Sequence, residues 1–195
     1  MTAEAISQDT IKAFVTASHF NLSKVREMLA DNPALLNVEY EWSPGDWESG
    51  IVAAGHMGSR PIAEFFLERG APLNICVAAM LGRLDDVRAF LERDATLANA
   101  RGAHQITVMF HAAMSGSTEV ASLLKSYGCS EGYSYALHGA INFGHRNMVE
   151  WLLDNGAQNI NAPNYEGKTP LKVALETGQT EIADLLRTRG GTEEA

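Results

Sequence analysis

Six histidines and one acidic, aromatic stretch carry most of the chemistry available to this sequence. The stretch is Val38–Gly50, VEYEWSPGDWESG, which sets Tyr40, Trp42 and Trp47 among Glu39, Glu41, Asp46 and Glu48. It runs straight into the segment that holds His56. A carboxylate beside an imidazole orients the ring and lets it exchange a proton, which is how general acid–base pairs are built. A tryptophan against such a pair would exclude water. Asp46, Glu48 and His56, joined by His19 from upstream, are therefore the candidate acid–base set. Tyr40, Trp42 and Trp47 are candidate contacts for a ligand or a partner, because two tryptophans among four acids are costly to expose without a use. The alternative is structural: an elongated hairpin turning at Pro44-Gly45, whose tryptophans pack on the next segment.

Other chemistries lack their motifs. No histidine pair has i, i+4 spacing and there is no Cys-x-x-Cys, so no metal site is expected; a metal held across segments by His19, His56 and an acid has no local motif behind it. There is no G-x-G-x-x-G, no P-loop and no G-x-S-x-G elbow, so no cofactor is expected. Ser115 lies in a small-residue turn with no strand before it. Cys76 and Cys129 stand in different segments and read as reduced thiols rather than a disulfide framework.

These residues need elements to position them. Near the end of the chain, Thr169-Pro170 supplies a capping hydroxyl and a proline at a first helical position. Leu171, Ala174 and Leu175 form one face of that helix, and Gly178 ends it. Ile182, Ala183, Leu185 and Leu186 form the face of a second helix, ended by Gly190-Gly191. Two short helices with one apolar stripe each cannot bury those stripes alone and need copies of themselves alongside.

The segment Gly167–Gly191 resembles an ankyrin repeat, whose pattern is T-P-L-H-x-A-A-x-x-G followed by a second helix, about 33 residues in all. Similar units are Tyr135–Ala157, Thr107–Cys129, Leu73–Arg93, Ser49–Ala71 and Ala13–Leu29, the last with Phe20 where glycine is usual. The resemblance covers nearly the whole chain. It implies an all-α ankyrin solenoid of about six stacked helix–turn–helix repeats with irregular, partly missing β-hairpin fingers. It is expected to form one domain over 1–195, with approximate repeats 11–37, 49–71, 73–100, 106–130, 134–160 and 167–191. The helix-ending glycines Gly58, Gly82, Gly116, Gly144 and Gly178 are spaced by 24, 34, 28 and 34 residues, which leaves an uneven rim. The first helix is expected over Ile11–His19 and the second over Leu22–Leu29 with Ser23 as its cap, after a polar Met1–Thr10 outside regular structure.

In the ankyrin family the two residues before each such glycine face the concave groove. Carried over, that row includes His19, His56, Met57, Met80, Leu81, Met114 and Phe143, and its centre would be an adhesive, methionine-rich floor. His111 lies one turn earlier and would face the same groove. His138 stands at the family's loop-bonding histidine, and His145 after Gly144 at a scaffold position. His104 is expected to be exposed in a finger. Two readings stay open. The first is a binding module that holds a protein partner on its concave face, as the resemblance implies. The second is a small-molecule-binding protein or small acid–base enzyme, with its pocket between the Val38–Gly50 finger and the first inner helices.

Composition narrows the field further. The formal net charge is −9 over 195 residues, which disfavours nucleic acid and anionic membrane as partners. The longest apolar run, Ile75–Leu81, is far too short to span a bilayer, and no signal-peptide pattern opens the chain. A cytoplasmic protein is expected.

Overall fold

The computed structural model describes residues 6–194. Within them the chain forms pairs of short antiparallel helices. The first helices of the pairs are α1 (Gln8–Ser18), α3 (Gly50–His56), α5 (Ile75–Leu81), α7 (Val108–Ser115), α9 (Tyr133–Asn142) and α11 (Pro170–Glu176). The second helices are α2 (Leu22–Asp31), α4 (Arg60–Glu68), α6 (Leu84–Arg93), α8 (Thr118–Ser126), α10 (Arg146–Asn155) and α12 (Thr180–Thr188). Each first helix packs on the next one in order, from α1 to α11, and α6, α8, α10 and α12 form an outer row behind them.

Short polar residues decide where these helices begin. Ser7, Asn21, Asn74, Thr107, Ser117 and Thr169 each accept a backbone N–H of the first turn, satisfying a donor that the helix itself leaves orphaned. α1 thus begins at Gln8, inside the stretch expected to lack structure; residues 1–5 lie outside the described residues. Asn21, not Ser23, caps α2. α5 and α7 close on left-handed glycines, Gly82 and Gly116, where a side chain would be strained.

The apolar stripes meet in an interior of two buried clusters. Phe14, Val25, Ile51, Ile62, Phe66, Val77 and Met80 fill its first part; Leu91, Met109, Leu124, Leu137, Met148, Leu152, Ala174 and Leu186 fill the rest. All seven residues of α5 are buried, because α3, α6 and α7 surround a helix that is apolar on every side.

One finger is a true hairpin. β1 (Glu39–Ser43) pairs antiparallel with β2 (Asp46–Ser49), with Tyr40 opposite Glu48 and Glu41 opposite Trp47. The alternation of strand side chains divides the hairpin into two faces. Tyr40, Trp42 and Glu48 turn toward the helices, while Glu39, Glu41 and Trp47 turn to solvent. An irregularity in register lies between Glu41 and Ser43.

Candidate functional site: a histidine–carboxylate centre

Glu48 has no exposed surface, although it sits on a two-stranded finger. The short link from β2 into α3 presses its side chain onto the ends of α1 and α3, where His19 and His56 emerge. His56 Nδ1 stands 2.8 Å from Glu48 Oε1, and His19 Nε2 stands 3.4 Å from Oε2. The Trp42 indole N–H donates to Oε2 at 2.7 Å. Burial pushes the Glu48 carboxyl up, but His56, Trp42 and His19 together outweigh it and hold the group below the ordinary glutamate range.

A third imidazole arrives from far along the chain. His104 lies in the 3₁₀ turn Ala103–Gln105, and its Nε2 is 3.8 Å from Glu48 Oε1. Asp46 fixes it twice: Oδ1 accepts the His104 backbone N–H at 2.8 Å, and Oδ2 lies 2.7 Å from Nδ1. The His104 backbone N–H and imidazole in turn hold the Asp46 carboxyl below its usual range. His104 and Gln105 both carry positive φ, +55° and +59°. Side chains adopt that conformation at a cost, and such strain gathers where the surroundings hold a residue for a purpose.

The rings are mutually tilted: His19 and His56 centroids are 4.9 Å apart, and His56 and His104 centroids 5.0 Å. His19 Nδ1 donates to the Val15 carbonyl at 2.9 Å, which turns Nε2 toward Glu48. His104, held at Nδ1 by Asp46, likewise turns Nε2 toward Glu48. Glu48 Oε1 and His56 Nδ1, despite their separation of 2.8 Å, make no hydrogen bond of acceptable angle to each other or to anything else.

The structure therefore brings together His19, His56, Asp46, Glu48, Tyr40 and Trp42, with Tyr40 edge-on to Trp42 at 4.9 Å. It also adds His104, which the sequence reading set aside as an exposed finger residue. No local pattern marks His104, since 58 residues of chain separate it from Asp46.

The expected groove floor is corrected. Met80, Leu81 and Met114 are 1%, 6% and 4% exposed and belong to the interior. Their side chains point between neighbouring first helices: Met114 packs where Gly139 of α9 leaves room, its Cγ 3.4 Å from where a β-carbon would stand. Arg60 and His145 bond the carbonyls of Met80, Leu81 and Met114 and tie the helix ends together. His111 is buried too; its Nδ1 donates to the Thr107 carbonyl at 2.9 Å, and burial pushes its pKa down to about 4. Met57 and Phe143 remain accessible. Phe143 lies against Gly58, where a β-carbon would meet its Cζ at 2.2 Å, so the hollow is crossed by an aromatic ring. His138 bonds the Ala162 carbonyl at 2.8 Å, the inter-loop role that the resemblance implies.

Behind the hairpin lies an open cleft of about 420 Å³, lined by Trp47, Ile75, Leu97, Ala100, Arg101 and Asp46 among others. Asp46 is thus a wall shared by the cleft and the histidine centre. Cys76 also lines the cleft, but burial pushes its thiol up to about 12.

No helix among the described residues is long and apolar enough to cross a membrane. No curated protein matches the sequence. Among solved structures, the human ASB11 ankyrin repeat domain is similar, with a TM-score of 0.55 and 25% identity over 74% of this chain and 71% of that one. The family model for ankyrin repeats (3 copies) matches residues 75–164 and 129–193, together more than half of the chain. With the helix pairs and capping glycines above, the match shows that the chain belongs to the ankyrin repeat family.

Proposed function

We propose that this chain is a protein-binding module whose partner docks on the finger edge of the first repeats rather than on the floor of the concave face. Ankyrin repeats are generally protein–protein interaction modules, and the burial of Met80, Leu81 and Met114 removes the adhesive floor on which a concave-face partner would rest. The observation that carries the reading is the outer face of the hairpin. Trp47 is 54% exposed there, beside the carboxylates of Glu39 and Glu41 and at the lip of the cleft. Such a face fits a basic segment that lays a lysine or arginine over the indole.

A peptide array of Lys/Arg-rich and acidic segments, probed with the wild-type chain, tests this. Binding of the basic peptides, weakened about tenfold or more by Trp47→Ala or Glu41→Lys, is the expected result. Indifference to both substitutions overturns it.

A second reading is favoured by Glu48 itself: a buried carboxylate between imidazoles, walled by Trp42, suits a small-molecule or acid–base site. A metabolite thermal-shift screen of the metal-free protein, compared with Glu48→Gln, checks that reading. Stabilisation that the variant loses supports it, and the absence of any hit counts against it.

A further inference from the structure

The geometry points to a first-row transition-metal site, of zinc or ferrous-iron class, held by His19, Glu48, His56 and His104. The inference is independent of the partner reading and uses the same side chains as the second. One donor atom from each of the four residues lies within 4.8 Å of all the others. Bonds of about 2.0–2.2 Å to imidazole nitrogen and carboxylate oxygen place ligand atoms at separations of this order.

The pattern of hydrogen-bond contacts carries the argument further than proximity does. The non-facing nitrogens of His19 and His104 are occupied by the Val15 carbonyl and by Asp46. The second oxygen of Glu48 is occupied by Trp42. Nε2 of His19, Nε2 of His104, Nδ1 of His56 and Oε1 of Glu48 are left facing one another, and Glu48 Oε1 and His56 Nδ1 have no hydrogen-bond partner. A proton shared between two of these atoms serves that pair alone; a divalent ion can be held by all four at once. The outer contacts from a carboxylate, a backbone carbonyl and an indole are those that orient metal ligands. Three nitrogens and one oxygen, with no sulfur, suit zinc, iron, cobalt or nickel and not the all-oxygen ions calcium and magnesium. His104 is the ligand most open to solvent, with 37% of its side chain accessible, so an ion would be reached from that side.

The test uses Co²⁺ and Zn²⁺ alone, added to chelator-stripped full-length protein. One equivalent of Co²⁺ should bind with visible d–d absorption and be displaced by Zn²⁺. Each metal should also raise Tm. His104→Ala, on a surface turn, should weaken binding at least tenfold while leaving the circular dichroism unchanged, and Asp46→Asn should weaken it about 10–100-fold through the His104 ring. Absence of stoichiometric binding overturns the inference, as does binding that both variants leave intact. Because the metabolite screen is run without metal, either result here leaves the acid–base reading to be judged separately.

Discussion

Glu48 shows how a charged residue is kept in a protein interior. A buried carboxylate survives only if its oxygens are partnered, and Trp42 partners one of them at 2.7 Å. Trp42→Phe keeps the ring and removes the donor. It should cost about 1–3 kcal/mol in chemical denaturation of metal-free protein, whereas a tryptophan serving only as packing would lose much less. His111 and His138 are the other buried imidazoles. Burial lowers the pKa of both, that of His111 to about 4. The unfolded chain takes up these protons near the ordinary histidine value, and the folded chain only at lower pH. Stability is therefore present above about pH 6.5 and is lost as pH falls below it, for His111 down to about 4 with a share of about 3 kcal/mol. His138→Gln keeps a donor toward Ala162 and cannot charge. Urea midpoints of chelated protein should fall less steeply between pH 6.5 and 4 in this variant than in the wild type. Parallel curves would show that His138 does not contribute.

At the scale of elements, α5 and the hairpin explain what could be read from the sequence. The start of α11 was legible because capping depends on local chemistry, and Thr169-Pro170 acts within four residues of itself; the same reasoning missed the start of α1 and chose Ser23 where Asn21 caps α2. The burial of α5 was written in its unbroken apolar run, ICVAAML, which has no polar side to turn to a groove. Family register placed Met80 and Leu81 outward all the same, and packing between α3 and α7 overrode it. Met80→Ala should therefore destabilise the protein by about 2–5 kcal/mol, as a core truncation does. A Tm equal to wild type would restore Met80 to the groove. The opposite facing of Trp42 and Trp47 was not legible, since a two-residue turn that pairs Ser43 with Asp46 would set the two tryptophans side by side on one face, and it is the register irregularity between Glu41 and Ser43 that separates them. Nor was the arrival of His104, because it depends on a turn with two non-glycine residues at positive φ and on a partner 58 residues away.

Taken whole, the molecule is a stack in which repeats distant in sequence meet across the curve. Phe143 against Gly58 is the clearest such contact. Gly58 has φ +68°, so Gly58→Ala meets both backbone strain and the ring, and should cost about 1–3 kcal/mol. Adding Phe143→Ala should recover part of that loss, a non-additivity that a double-mutant cycle measures. Strict additivity would mean that the two repeats do not touch in solution. The same long-range closure assembles the histidine centre from α1, the hairpin, α3 and the turn before α7.

The central claim is that four side chains from four separate segments turn metal-ligating atoms toward one place. The most direct measurement is an anomalous difference map from crystals of the full-length chain grown with Co²⁺ and recorded at the cobalt edge. The account predicts one dominant peak bounded by His19 Nε2, Glu48 Oε1, His56 Nδ1 and His104 Nε2. A map with no peak there, or with His104 turned away from Glu48, would contradict it.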